Sequence, residues 1–454
     1  MRILQVAHTF LPESSGGTEI HVYLLCKDLQ PRHQVAVFYR IYAPNQPEHS
    51  LLSSEYDGIP VYKVVNNFTA SPPPLVNYFD PRVEARFDEV LDEFRPDVVH
   101  FHHLGGGLST SMISATKRRG LPTVLTLHDF WYMCYLSTLF TRDYQRCPGP
   151  EGGLRCHRCY HLPAPEFERL PPLIHMQRVG VWGTVGYARR FITGLLKMPA
   201  HNDQQRHAAL LMTRDTYFRH LLSLPDVLIA PSNFLKERFV EWGIAGDRII
   251  HLPNGVNSAS LESGSDIASR GERLRFTYIG SITPHKGVDL LVDAFNMLAD
   301  APVELHIYGD AEANILTSRY VAKLRARITN SRICFEGPVP HQEVGRVLAQ
   351  TDMFILPSRV YENCPMSILE ALWAGVPVLT ANIGGMAELI RDGENGLLFR
   401  ADDAAHLAAR VREVASNPIL LDKLRAGIVR PRTSAEVSRD LEAIYERLPS
   451  RPGS

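Results

Sequence analysis

Two successive series of short apolar segments, separated from one another by helical segments, constrain the fold of this chain most strongly. Short runs rich in β-branched residues predict the strands of parallel sheets that helices cover on both faces. Two such series predict two Rossmann-like, doubly wound α/β domains that face each other across a cleft. The predicted strands are 2–9, 34–40, 97–102, 122–128 and 226–230 in the first series, and 275–280, 303–309, 333–337, 353–358 and 377–381 in the second.

A polar segment divides the two series. Residues 257–271 are rich in Ser and Gly and predict a linker between an N-terminal domain, 1–256, and a C-terminal domain, 272–430. The remaining residues, 431–454, include a helical stretch that is expected to return toward the N-terminal domain.

Charge and hydrophobicity exclude several classes of protein. The net charge of -1 gives no global attraction to nucleic acid. No run of 18 apolar residues occurs, so no membrane span is predicted. Residues 3–7 indicate a buried strand and not a leader, and the seven cysteines are an odd number. Together these features predict a cytoplasmic protein whose cysteines are free thiols or metal ligands.

Two acids, one in the loop before a predicted helix and one inside that helix, give the strongest chemical signal. Pro365 suits the first turn of a helix, and free N–H groups near Met366 and Ser367 can hold a diphosphate. A carboxylate accepts hydrogen bonds from pairs of sugar hydroxyls. Glu362 is therefore a candidate for binding a transferred sugar and Glu370 for binding a ribose. The alternative is an amphipathic helix with a surface acid.

Glycine turns after the first strand of each predicted domain give weaker signals. Lys286 ends such a turn in the second domain, where such sheets bind phosphate, and it would offset the charge of a diphosphate. Gly16 and Gly17 precede a helix in the first domain, where they let the backbone approach a ligand. The alternatives are a solvated lysine and a plain tight turn.

Two further signals fall at predicted strand ends. His128 would face the cleft from the carboxyl edge of the first sheet, although a lone histidine is often structural. Gly384 and Gly385, with Glu388 after them, would lie at the carboxyl edge of the second sheet. The alternative there is a turn followed by an acid at a helix N-terminus.

Four cysteines cluster in a loop over residues 134–160. A Cys-x-x-Cys with two more cysteines nearby is compatible with a tetrahedral structural zinc site, which could fix a loop with little core of its own. Free thiols and an iron–sulfur cluster are the alternatives. The four are Cys134, Cys147, Cys156 and Cys159.

A helical insertion follows over about residues 165–222. It is basic and partly amphipathic, which makes it a candidate for contact with the inner face of a membrane or with a lipid-linked acceptor. The alternative is a helical subdomain on the acceptor side of the cleft.

These motifs together resemble the retaining glycosyltransferases of family 4, which have the GT-B fold. The resemblance implies catalytic roles for His128 and Glu362, and places Lys286 at the donor diphosphate and Glu370 at the ribose. It also implies that the loop near Val339 borders the base. The motifs are the Gly pair at 16–17, DVVHFH at 97–102, TLHD at 126–129, APSNF at 230–234, LPNGV at 252–256, GSITPHKG at 280–287 and the two acids at 362 and 370.

The resemblance implies that a sugar moves from a UDP- or GDP-linked donor to a glycan or lipid-linked acceptor, in polysaccharide or glycoconjugate synthesis, without a catalytic metal or other cofactor. One departure is Ser281, where such proteins usually have an arginine that binds phosphate bidentately. An epimerase or hydrolase on the same fold, and a non-catalytic sugar-binding relative, are the alternatives.

Overall fold

The computed structural model describes residues 1–68, 79–156, 159, 201–262 and 272–449, with the backbone alone for 201–210. It contains two sheets, each with helices on both faces, and the hydrophobic cores lie between sheets and helices. The prediction of two doubly wound α/β domains is therefore confirmed.

The first sheet has eight strands in the order β3-β4-β2-β1-β5-β6-β7-β8, and all neighbours are parallel except β3 and β4. Its elements are β1 (Arg2–Ala7), α1 (Gly17–Leu29), β2 (Gln34–Ile41), β3 (Leu51–Tyr56), β4 (Ile59–Val65), α2 (Pro81–Phe94), β5 (Val98–Phe101), α3 (Ser111–Arg118), β6 (Thr123–Thr126), α4 (His201–Leu221), β7 (Val227–Ala230), α5 (Asn233–Glu241) and β8 (Ile249–His251).

The second sheet has six parallel strands in the order β11-β10-β9-β12-β13-β14. The elements after β8 are α6 (Ser258–Glu262), β9 (Leu274–Ile279), α7 (Val288–Asn296), β10 (Val303–Tyr308), α8 (Ile315–Arg327), β11 (Ile333–Gly337), α9 (Val344–Ala349), β12 (Met353–Leu356), α10 (Met366–Trp373), β13 (Val378–Ala381), α11 (Gly384–Leu389), β14 (Gly396–Phe399), α12 (Ala404–Ser416), α13 (Pro418–Ala426) and α14 (Ser434–Glu446).

Local sequence explains where these elements form. The central strands β5, β6, β12 and β13 are buried along their whole length, as expected for parallel strands covered on both faces. Side chains cap several helices: Asp80 accepts from the Arg82 amide, and Thr433 forms a capping box with Glu436. These two helices therefore begin after residues that satisfy free amides of the first turn.

The last helix, α14, packs against α1 of the first domain. Its residues Val437, Leu441 and Tyr445 are buried in the core of that domain. Just before the helix, Thr433 pairs with Val256, so the two segments that connect the domains run side by side.

Some elements differ from the sequence expectations. The hairpin β3–β4 and the helices α2 and α3 were not predicted. Part of the predicted linker is helix α6, because Leu261 is buried in the core of the second domain; residues 263–271 lie outside the described residues. Of the predicted insertion, α4 is described and 165–200 lie outside. No helix among the described residues is long and apolar enough to cross a membrane.

Candidate functional site

The strand order of each sheet reverses at one point, and these points define where ligands bind in such folds. The reversal lies between β1 and β5 in the first sheet and between β9 and β12 in the second. Doubly wound sheets bind ligands in the crevice beyond the carboxyl ends of the strands at this position. The loops after β9 and β12 contain Lys286 and Glu362, respectively.

A cavity of about 700 Å³ lies between the two domains, and we call it the interdomain hollow. Its volume is within the range of small-molecule sites. The structure places all of the predicted donor-site residues around it, although they come from distant segments. The predicted residues that line it are Gly16, Gly17, His128, Ser281, Lys286, Val339, Glu362, Pro365, Met366, Ser367 and Glu370.

Lys286 and Glu362 form an ion pair inside the hollow. The Lys286 ammonium lies 2.6 Å from Oε1 of Glu362, and the Ser358 hydroxyl donates to the same oxygen at 2.7 Å. Burial alone would raise the pKa of the Glu362 carboxyl, but Lys286 and Ser358 hold it below its ordinary value. Glu362 is therefore ionised at neutral pH, and its Oε2 remains for a ligand.

Two helix N-termini face the hollow from opposite domains. Helix α10 begins at Met366, with Pro365 at the N-cap position and no side-chain cap. Helix α1 begins at Gly17 with Gly16 at its N-cap, also without a side-chain cap. Free amides and the helix dipole make such ends favourable for anions, so the two ends suit a diphosphate.

Glu370 lies one turn into α10 and contacts the loop after β11. Its Oε1 is 2.9 Å from Nε2 of His341, which follows Val339 in that loop. The hydrogen bond to Glu370 raises the pKa of His341 above 6.5. The hollow thus has a second group that can carry positive charge, beside the carboxylate that the sequence assigns to a ribose.

Asn363 joins the two halves of the site. Its side-chain amide donates to the backbone carbonyl of His128 at 2.8 Å, across the cleft. His128 follows β6, and its ring nitrogen Nε2 lies 2.9 Å from Nδ1 of His102, which follows β5. A ring nitrogen of His21, on α1, lies within 4.8 Å of a ring nitrogen of His102 and of a ring nitrogen of His128. Sequence reasoning named His128 alone of these four as a site residue; His102 lies at the end of the DVVHFH motif, which could have indicated it.

The glycines at the start of α11 hold the Glu362 loop in place. The Gly385 amide donates to the carbonyl of Glu362 at 2.7 Å, and a Cβ on Gly385 would overlap the carbonyl oxygen of Asn363. Glu388 of the same helix reaches across the cleft, where its carboxylate accepts from the free amides of Asn233 and Phe234 at the start of α5. Helix α11 therefore supports the site and bridges the domains.

Ser281 leaves one side of the hollow without a strong cation. It is exposed, and its backbone carbonyl accepts from the Tyr278 hydroxyl at 2.8 Å. Among the described residues that line the hollow, Lys286 is the one lysine or arginine. Burial lowers the pKa of the neighbouring His285 to about 4, so this ring is neutral at pH 7.

The four cysteines of the loop lie outside this site. They line a separate cavity of about 300 Å³, and none of the four is in a disulfide. In the described part of the chain, three side-chain atoms that could bind one metal ion lie within 4.8 Å of one another in two places, and neither place includes a cysteine of this loop. The structure therefore does not show a formed metal site in the loop. Structural zinc at Cys134, Cys147, Cys156 and Cys159 stays a prediction.

Comparison with known families agrees with this geometry. Residues 15–260 match Glycosyltransferase Family 4, and residues 273–417 match Glycosyl transferases group 1. The first match alone covers more than half of the chain. The chain belongs to glycosyltransferase family 4.

The curated relatives align with only part of this family 4 member. The D-inositol 3-phosphate glycosyltransferase of Streptomyces coelicolor is 27% identical over 225 residues, which are 46% of this chain and 47% of the relative. The chain spans about half of the length of the curated relatives that it matches.

Solved structures cover nearly the whole chain. Sucrose-phosphate synthase of Thermosynechococcus elongatus has 16% identity and a TM-score of 0.67, with 98% of both chains covered. Anabaena HepE in complex with UDP-glucose has 18% identity and a TM-score of 0.62, with 98% of this chain and 100% of that chain covered. These likenesses show that the chain has the GT-B fold.

The close packing at Gly385 predicts that this position tolerates no larger residue. Gly385→Ala should lower the free energy of unfolding by about 1–3 kcal/mol, because the new methyl group must displace the Asn363 carbonyl. Chemical denaturation measures the change. Gly246→Ala, whose Cβ would meet only a methyl group of the exposed Val240, is the matched control and should stay within about 0.5 kcal/mol of the wild type. A stable Gly385→Ala variant would contradict this packing argument.

The zinc prediction is tested by metal analysis of the purified protein. We expect about one zinc per chain, and loss of that zinc in Cys159→Ser, because a structural site needs its full set of ligands. Cys26→Ala is the control, since Cys26 is a buried thiol on α1, away from the loop. Metal-free protein that is folded would rule the zinc site out.

Proposed function

We propose that this chain is a retaining glycosyltransferase that moves a sugar from a nucleoside-diphosphate sugar onto a glycan or lipid-linked acceptor, in polysaccharide or glycoconjugate synthesis. One observation carries the proposal. Lys286, the ionised Glu362 and two uncapped helix N-termini surround a single hollow at the switch points of both sheets. This set provides charges and donors for a diphosphate on one side and an acceptor of hydrogen bonds for a sugar on the other.

The diphosphate of the donor would lie between the two helix ends. The amides of Met366 and Ser367 and the Lys286 ammonium supply hydrogen bonds and positive charge from the second domain. Gly16 and Gly17 let the backbone of α1 approach from the first domain. No catalytic metal is needed on this account, because these groups offset the charge that develops on the leaving diphosphate.

The two acids would orient the donor. Oε1 of Glu362 is engaged by Lys286 and Ser358, which leaves Oε2 to accept from a hydroxyl of the transferred sugar. Glu370 would accept from the ribose hydroxyls, with His341 fixing its carboxylate. Both acids bind and orient hydroxyls in this account, and neither serves as a covalent nucleophile.

Retention of configuration then follows from reaction on one face of the sugar. The bond between the anomeric carbon and the phosphate oxygen breaks, and the acceptor oxygen forms its bond to the same carbon from the same side. The leaving phosphate oxygen takes the proton of the acceptor hydroxyl. Lys286 and the helix ends stabilise the charge on the phosphate until that proton arrives.

The nature of the nucleotide is tested first. The complex of HepE with UDP-glucose supports a UDP-linked donor, with GDP-linked sugars as the other arm of the test. A thermal-shift screen of UDP- and GDP-linked sugars selects the donor, because a ligand that binds the native state raises the unfolding temperature.

Turnover of the selected donor, with and without a panel of glycan and lipid-linked acceptors, tests the function itself. Transfer should require acceptor and should fall about 100-fold or more in Lys286→Met and Glu362→Gln, since each removes a charge at the reacting groups. Lys323→Met and Glu237→Gln change exposed side chains away from the hollow and should leave transfer unchanged.

The other outcomes separate the alternatives. Donor consumed equally fast without acceptor would indicate an epimerase or hydrolase and contradict transfer. Donor that binds but is not consumed with any acceptor would indicate a non-catalytic sugar-binding relative.

The exposed Ser281 predicts a gain of donor affinity on substitution. Ser281→Arg should lower the Kd for UDP about tenfold, because a guanidinium can bind phosphate bidentately while the serine hydroxyl gives one hydrogen bond. Isothermal titration with UDP measures the change. Ser281→Gln is similar in length without the charge and should leave the Kd near that of the wild type. Equal effects of both variants would contradict the electrostatic explanation.

A further inference from the structure

A chain of hydrogen bonds runs from His128 in the hollow to the C-terminal helix. Nε2 of His128 lies 2.9 Å from Nδ1 of His102, and Nε2 of His102 lies 2.8 Å from Oε1 of Gln5. The Gln5 amide donates to the hydroxyl of Tyr445 on α14 at 3.4 Å, and this hydroxyl lies 2.7 Å from Nδ1 of His100. The chain thus connects the candidate active site to the helix that returns from the second domain.

The network lies in a layer of the core that is otherwise apolar. Gln5 on β1 is the register partner of His100 on β5, and both are fully buried, as is His102. Their neighbours on the same face of β1 are Ile3 and Ala7. Burying polar groups is costly unless each finds a partner, and here both ring nitrogens of His100 and His102 are paired.

The orientation of the Gln5 amide determines where each proton lies in these pairings. Oε1 of Gln5 can accept and cannot donate, so the proton of the neutral His102 ring is on Nε2. Nδ1 of His102 then accepts, and the proton of His128 must be on Nε2. At the other end, Tyr445 accepts from Gln5 and donates to Nδ1 of His100, whose Nε2 donates to the Thr126 hydroxyl at 2.8 Å.

We propose that Gln5, His102 and Tyr445 are positioning residues that hold His128 as its Nε2–H tautomer, with the lone pair of Nδ1 reserved for a ligand in the interdomain hollow. The hydrogen bond on one ring nitrogen of a histidine determines the state of the other. Nδ1 then accepts a hydrogen bond from a sugar hydroxyl. This use of Nδ1 rests on the proposed function, whereas the tautomer does not.

Burial keeps the rings neutral, as the network requires. It lowers the pKa of His102 and of His128 well below 6.5, and the nearby histidines lower both further. Helix α14 is connected to the network, because the Tyr445 hydroxyl accepts a hydrogen bond from the Gln5 amide. Asn363 fixes the backbone of His128 from the other domain, so ring and backbone are held independently.

Nitrogen-15 NMR of histidine-labelled protein reads the tautomer directly, with the signals of residues 102 and 128 assigned through His102→Gln and His128→Gln. Both rings should be protonated at Nε2 in the wild type at pH 7. Gln5→Met keeps the side-chain shape and removes the acceptor, so both rings should become tautomer mixtures. Gln5→Glu keeps an acceptor oxygen toward His102, so Nε2 of His102 should stay protonated.

Activity gives a second readout. Gln5→Met should lower kcat for transfer about tenfold, with the KM for the donor changed less than about threefold. Tyr445→Phe should lower kcat in the same direction. Tyr62→Phe is the matched control, because Tyr62 is also largely buried and its hydroxyl bonds Glu93 away from the network.

Two results would overturn the inference. One is a wild-type His128 ring protonated at Nδ1, a result that does not depend on any Gln5 variant. The other is an unchanged His128 tautomer in folded Gln5→Met, whatever its activity. Wild-type protein with the predicted tautomer but no transfer with any acceptor would contradict the proposed function and leave the positioning network supported.

Discussion

The ion pair between Lys286 and Glu362 is the interaction on which the site depends. It joins the loops after β9 and β12, which leave the second sheet on opposite sides of its switch point. With Ser358 as a second donor, it keeps a buried carboxylate ionised and leaves one oxygen free for a ligand. A bound nucleoside-diphosphate sugar would contact both members of this pair, with its phosphate near the ammonium and its sugar near the carboxylate.

The surroundings of this pair determine its position relative to the first domain. Gly385 allows α11 to pack directly on the Glu362 loop, where any side chain would displace the backbone. Asn363 then bonds the carbonyl of His128, and Glu388 caps α5 across the cleft. These contacts place the helix ends of both domains around one hollow, so the site is complete only where the two domains meet.

Sequence predicted the fold, and it named residues that the structure brings together around one hollow, because both depend on local signals. A glycine turn after a strand marks the loop of Lys286, and a proline before a helix marks the loop of Glu362. The hairpin β3–β4 could have been found from Asp57-Gly58, whose backbone lies in the left-handed region. The roles of His102 and Asn363 could not, because they come from partners 26 and 235 residues away in sequence.

A crystal structure of the protein with bound UDP tests the central claim most directly. The account predicts the diphosphate between the two helix ends, with an oxygen of its terminal phosphate within hydrogen-bond distance of the Lys286 ammonium and of the amides of Met366 and Ser367. It also predicts the ribose hydroxyls at Glu370. UDP bound with its diphosphate away from Lys286 and from the start of α10 would contradict it.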